Sequence, residues 1–194
     1  MNSSYKEFVI GGQRSGKSRR AESLARLWLD GEPSRHAVLV ATAQPWDEEM
    51  RERIARHQSD RAGRVPALRT VEVPLALGEA LTRWSQPDTL VVVDCLTLWL
   101  TNLRMPPLSS ANDTAQKGAG GSDTAAIDSL LEAIAGAAGP LVIVGNEIGL
   151  GVIPMGAPVR AFVDALGRLN QAVASHCDRV CLMVAGQPLF VKGA

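Results

Sequence analysis

Residues 11–18, GGQRSGKS, constrain this chain more than any other stretch. Their spacing is that of a phosphate-binding loop, G-x-x-x-x-G-K-[ST]. Glycines let the backbone turn tightly enough to aim successive N–H groups at an anion, and a helix starting where the loop ends adds the positive end of its dipole. Lys17 then supplies an ammonium for the outer phosphates of a nucleoside triphosphate, and Ser18 a hydroxyl for Mg²⁺. The flanks suit the reading. Phe8-Val9-Ile10 is a short apolar run fit for a buried strand, and Ala21, Leu24, Ala25, Leu27 and Trp28 recur at helical spacing. An incidental glycine-rich turn is the alternative, and this strand-loop-helix context weighs against it.

Downstream the same alternation repeats. AVLVATA at 37–43 is a continuous apolar run expected of a strand covered on both faces. DEEMRERIARHQ reads as a helix starting at Asp47 and ending near His57, with acids early and bases late as the helix dipole favours. A basic loop is expected from Arg61 to Pro66, then a strand over ALRTVEVP, a helix over LALGEALTRWS and a strand over TLVVVDC. LTLWLTNLRM predicts a helix up to Pro106-Pro107. The following stretch, to about residue 123, is small, polar and rich in glycine, the composition of a flexible loop. A helix over AAIDSLLEAIAGAAG, a strand over LVIVGNE, the long amphipathic stretch APVRAFVDALGRLNQAVASHC, the strand RVCLMVAG and a short PLFVKG complete the chain. Apolar strands alternating with helices define an α/β class. The expectation is one phosphate-loop domain over 1–194, a doubly wound and mostly parallel sheet with helices on both faces.

Composition sets limits on partners. The 194 residues suffice for one well-buried core, and 20 basic side chains cancel 20 acidic ones, so no global field recruits nucleic acid or an anionic membrane. No apolar run reaches a membrane span, and MNSSYKEFVIGG leads straight into the loop strand; the chain therefore reads as cytoplasmic. Three sparse cysteines, Cys95, Cys177 and Cys181, read as reduced structural thiols. His176-Cys177 with Cys181 is a partial metal set lacking a fourth ligand.

A phosphate loop does not choose between kinase, switch and motor. Asp94 ends a buried run, where the Mg²⁺-linked carboxylate of such proteins belongs, although a plain helix cap is the alternative. Asn146-Glu147 also ends a strand, on the side that faces the ligand crevice. Glu49, Arg53 and His57 stand at i, i+4 and i+8 and share one helix face beside the basic stretch holding Arg61 and Arg64. A neutral imidazole there can attack an α-phosphate. Spacing alone favours the plainer reading, a solvated histidine near a helix end.

GGQRSGKSRRAE, VLVATAQPWDEEMRERIARHQSDR, TVEVP, VVVDCLTLWLTNL, VGNEIGLGVIP and FVDALGRLNQAVASHCDRV with VAGQPLFVK occur in this order from about residue 9 to 192. Together they closely resemble the bifunctional adenosylcobinamide kinase / adenosylcobinamide-phosphate guanylyltransferase family of cobalamin biosynthesis. The resemblance implies two reactions: phosphorylation of adenosylcobinamide by ATP or GTP, then transfer of GMP from GTP to adenosylcobinamide phosphate through a guanylyl-histidine. The histidine matching D-x-E-M-x-x-R-I-x-x-H is His57. The resemblance further implies that Gly11, Gly12, Gln13, Arg14, Ser15, Gly16, Lys17 and Ser18 hold the triphosphate. Ala41, Thr42, Ala43, Gln58, Ser59, Asp60 and Arg61 border the nucleotide, and Glu72 and Asp94 are further nucleotide-binding acids. Ser18 and Asp94 are the expected Mg²⁺ ligands, with guanine reading and metal binding not divided between the two acids. A homotrimer is implied in the same way. Gln13 stands where relatives commonly have Ala, Asp94 where Glu also occurs, and Met155-Gly156-Ala157 where a more polar stretch is common. A simple kinase with His57 inert and a GTP switch are the competing readings; the chain carries no N-K-x-D guanine motif for the latter.

Overall fold

A computed structural model describes residues 5–105 and 120–193. In chain order the elements are β1 Lys6–Gly11, α1 Lys17–Leu29, β2 His36–Ala41, α2 Glu48–Arg64, β3 Leu68–Glu72, α3 Leu77–Trp84, β4 Thr89–Asp94, α4 Leu96–Arg104, α5 Gly120–Ala135, β5 Leu141–Asn146, α6 Ala157–His176, β6 Arg179–Val184 and β7 Gln187–Lys192. The strands form one seven-stranded sheet in the order β3-β2-β4-β5-β1-β6-β7. All pairings are parallel except β6 with β7, where the chain turns back on itself through Ala185-Gly186. The expected doubly wound, mostly parallel α/β sheet is what forms.

Period-two geometry divides the continuous apolar strands between two cores. Phe8 and Ile10, Val38 and Val40, Val91 and Val93, and Leu141 and Ile143 pack against α3, α4, α5 and α6. Their alternating neighbours Val9, Leu39, Leu90, Val92, Val142 and Val144 face Ala21, Ala25 and Trp28 of α1. Helices therefore cover both faces, which is why these strands carry no polar alternation.

Two boundaries differ from expectation. The α2 helix does not end near His57 but runs on to Arg64, so Arg61 to Arg64 are helical rather than loop. Arg64 fastens the last turn, bonding Asp60 at 2.9 Å and reaching across to Glu22 of α1 at 2.5 Å, and Val65 N–H donates to the Arg61 carbonyl. Tertiary pairing thus overrides the helix-breaking tendency of Gly63. The α5 helix starts at Gly120, inside the stretch expected as loop, while residues 106–119 of that stretch lie outside the described residues. No helix among the described residues is long and apolar enough to cross a membrane.

Glu7 is fully buried in β1, a position composition would assign to an apolar residue. Arg20 of α1 satisfies it at 2.6 Å and Tyr5 donates its phenol hydroxyl to the same carboxylate. The Arg20 guanidinium also lies over the Phe190 ring of β7, 5.3 Å from its centroid. One buried charge is thereby paired and helps tie α1 to the sheet edge.

Cys95, Cys177 and Cys181 are buried free thiols. Burial, reinforced by the Asp94 carboxylate, pushes Cys95 up to about 11, and burial pushes Cys177 up to about 12. Each thiol stays protonated longer in the folded chain than in the unfolded one. Their contribution is complete below the unfolded value of 9.0 and is lost as pH rises through 11 and 12. Stability measured by urea unfolding is expected to fall above pH 9 with a slope of up to about 1.4 kcal/mol per pH unit per thiol. A Cys95→Ala, Cys177→Ala double variant flattens that slope; an unchanged slope contradicts the assignment.

Candidate nucleotide site

Strand register brings the relevant residues to one edge of the sheet. Gly11 lies opposite Asn146 of β5 and Met183 of β6, and Ala41 lies opposite both Glu72 of β3 and Asp94 of β4. Every one of these strands is parallel, so their carboxyl ends coincide, as a ligand crevice in an open α/β sheet requires. The phosphate loop rises from the middle of that edge.

Gly11 has φ 153° and Gly16 φ 102°, in the region L side chains avoid. A Cβ on Gly11 would stand 2.6 Å from the Met183 carbonyl oxygen, and one on Gly16 3.2 Å from Gly186 Cα. Gly11 is therefore demanded twice, by dihedral and by space, and Gly16 by its dihedral with a tight neighbour besides. Gly186 N–H donates to the Ser15 carbonyl at 3.0 Å and Glu147 N–H to the Gly11 carbonyl at 3.1 Å, so the β6–β7 turn and the end of β5 brace the loop. Sequence reasoning assigned no role to Ala185-Gly186. Its signal was the small turn following an apolar strand.

Lys17 opens α1, is buried, and donates Nζ–H to the Gly12 carbonyl at 2.6 Å. Burial holds its pKa below the ordinary lysine value; Cys95 and Asp94 act in the opposite sense, and the Arg53 guanidinium adds to the lowering. Loop, β4 end and α2 are thus within electrostatic reach of one ammonium. The Ser15 hydroxyl is buried with no hydrogen-bond partner among the described residues, an orphaned donor inside the loop. Ser18 follows Lys17 in the first turn and is partly exposed. Gly12, Gln13 and Arg14 are exposed on the loop's outer surface.

The Asp94 carboxylate is half-buried and makes no hydrogen bond or ion pair among the described residues. Ser18 and Asp94 offer the hard oxygen donors that suit Mg²⁺, which takes one or two protein ligands and completes its shell with phosphate and water. Thr42 is fully buried, and its hydroxyl is spent between strand ends, donating to the Cys95 carbonyl at 2.7 Å and accepting from Cys95 N–H at 2.8 Å. Asn102 of α4 donates to the Thr42 carbonyl at 2.7 Å and the Pro74 carbonyl at 3.0 Å. Ala41 and Ala43 flank this lock, and Glu72 stands exposed at the end of β3.

Helix α2 begins at an Asp47 cap that accepts Met50 N–H at 2.7 Å. Of its residues, Arg61 alone is buried. His57 is exposed in the body of the helix, two turns before its end, and forms no hydrogen bond or ion pair among the described residues. Gln58, Ser59 and Asp60 are exposed beside it. Arg61, though buried, pairs with no carboxylate among the described residues, so a cation is kept available on this helix.

A glycine-braced loop, a buried lysine and a strand-end aspartate on a mostly parallel sheet define a phosphate-loop nucleoside-triphosphate-binding protein. The flagellar accessory protein FlaH of Methanocaldococcus jannaschii shares the fold, with TM-score 0.53 and 10% identity over 99% of this chain and 80% of that one. Residues 7–191 match the family described as cobinamide kinase / cobinamide phosphate guanyltransferase, and the chain belongs to that enzyme family. It is 42% identical over 188 residues to the bifunctional adenosylcobalamin biosynthesis protein CobP of Pseudomonas aeruginosa, covering 97% of this chain and 98% of the relative. It is 35% identical to the corresponding CobU protein of Salmonella typhimurium, over 95% of this chain and 98% of that one.

Proposed function

We propose that this chain phosphorylates adenosylcobinamide with ATP or GTP and then joins GMP from GTP to adenosylcobinamide phosphate, releasing pyrophosphate, with the guanylyl group carried on His57. The observation that carries this reading is the placement of His57, exposed and unpaired, on the helix that follows β2 to the same sheet edge as the loop. In guanylyl transfer a neutral ring nitrogen of His57 attacks the α-phosphorus. The N–P bond forms, the bond from α-phosphorus to the bridging oxygen breaks, and the electron pair leaves with pyrophosphate.

Residues Gly11 to Ser18 cradle the triphosphate through loop N–H groups, Lys17 and the α1 dipole. Ser18 and Asp94 would hold Mg²⁺, which when bound neutralises phosphate charge. Arg61 and the Gln58 to Asp60 turn of α2 border the nucleotide with Ala41 and Ala43, and Thr42 keeps the strand ends together. Asp94 acts on Lys17 electrostatically, whereas Glu72 lies two strands away, about 10 Å at ordinary strand spacing. Asp94 therefore suits the metal and Glu72 the N1 and N2 donors of guanine. The nucleotide domain spans the whole chain and works as a homotrimer.

The experiment is incubation with Mg²⁺ and α-labelled GTP, denaturation, and a search for acid-labile, base-stable label by peptide mapping. Label on His57 supports the reading. An unlabelled protein that nevertheless binds GTP overturns the guanylyl-histidine step and leaves a simple kinase.

A further inference from the structure

We propose that Arg53 is a further catalytic residue, a guanidinium on α2 that grips the β- and γ-phosphate oxygens of GTP and neutralises the pyrophosphate as it leaves. The proposal rests on the guanylyl-His57 reading and assigns the residue that stabilises its leaving group.

Position comes first. Arg53 stands four residues before His57, one turn away on the same face of α2 and displaced by about 6 Å along the axis. A nucleophile at one point of that face and a cation one turn along it match an α-phosphorus and the phosphates beyond it. Availability comes second. Glu49 and Glu52 share the helix, yet Arg53 is exposed and forms no ion pair or hydrogen bond among the described residues. Arg51 and Arg64 are not free in this way, being bound to Glu48 at 2.7 Å and to Asp60 and Glu22 respectively. Of the α2 arginines left unpaired among the described residues, Arg53 is the one a single turn from His57 on its face.

Proximity to the phosphate loop comes third. Arg53 is the α2 residue whose charge acts on Lys17. The Arg53 guanidinium disfavours the charge of the buried Lys17 ammonium. A polyanion bound by both removes that repulsion, and charge that grows on the leaving oxygen during the reaction is stabilised most. Asp94 favours the Lys17 charge from the β4 side, whereas Arg53 has no carboxylate partner among the described residues. In the step itself Arg53 exchanges no proton. It donates N–H bonds to pyrophosphate while the electron pair of the broken P–O bond settles there, and the imidazole releases its ring proton to solvent.

The test uses Arg53→Ala and Arg53→Lys in the full chain, with thermal unfolding as a folding control, since an exposed helix position tolerates either side chain. Single-turnover labelling with α-labelled GTP is expected to slow by about 10²- to 10³-fold in Arg53→Ala, with partial recovery in Arg53→Lys. The second readout is the reverse reaction. Wild-type guanylyl-enzyme regenerates GTP when titrated with pyrophosphate, and Arg53→Ala requires at least about tenfold more pyrophosphate, whereas transfer from preformed guanylyl-enzyme to adenosylcobinamide phosphate is unchanged. A merely structural residue would move forward, reverse and acceptor steps together, and that result overturns the proposal. So does labelling of Arg53→Ala within about twofold of wild type while wild type labels normally. Absence of label in the wild type overturns the guanylyl-histidine reading and this proposal with it.

Discussion

His57→Ala is expected to lose the covalent guanylyl label completely and, with it, GMP transfer to adenosylcobinamide phosphate. Phosphorylation of adenosylcobinamide is expected to stay within about threefold of wild type, because that step needs the polyphosphate cradle and not the nucleophile. Structure makes the variant a clean one. His57 is exposed on a helix that buries only Arg61, and it holds no hydrogen bond among the described residues, so its removal leaves packing intact. Unfolding free energy should change by no more than about 0.5 kcal/mol. The check is the labelling assay run beside a kinase assay on the same preparation. Undiminished label in His57→Ala would place the nucleophile elsewhere.

Lys17→Ala is expected to depress both half-reactions by about 10²- to 10³-fold, chiefly in kcat. The side chain is buried at the start of α1, held over the loop by the Gly12 carbonyl, and flanked by Asp94 and Cys95. Burial disfavours its charge while Cys95 and Asp94 favour it, and the loop holds this side chain where phosphate charge shifts in either transfer. Lys17→Arg should not rescue, since a planar fork replaces a compact ammonium inside a buried loop. Steady-state rates of both reactions decide the matter. Near-wild-type values for both would refute the role assigned to the loop lysine.

These two variants also separate what is local from what is not. The loop was legible because its chemistry lies in consecutive residues: Gly11 and Gly16 need positive φ, and Lys17 and Ser18 follow at once. Asp94 was legible as the end of a buried run, but only register places it beside Ala41 and within reach of Lys17. The extent of α2 was misread at its far end, because the Arg64 to Glu22 pair that holds the last turn joins residues 42 apart in sequence. Thr42 looked like a nucleotide neighbour, and its hydroxyl proves to be engaged between β2 and the residue after β4. Glu7 carried no local signal, and the Ala185-Gly186 turn carried only that of a small turn after an apolar strand. Their meaning comes from Arg20 and from the Ser15 carbonyl, each supplied by another segment.

The amino-acid sequence by itself determined the phosphate loop, the alternation of buried strands and helices, and the family, since each depends on residue order within a short window or on blocks in a fixed succession. Tertiary structure alone decided which strand ends meet, which cations stay unpaired and which buried carboxylate finds an arginine. Those outcomes depend on parallel register and on side chains brought together across tens of residues, and no local propensity encodes them.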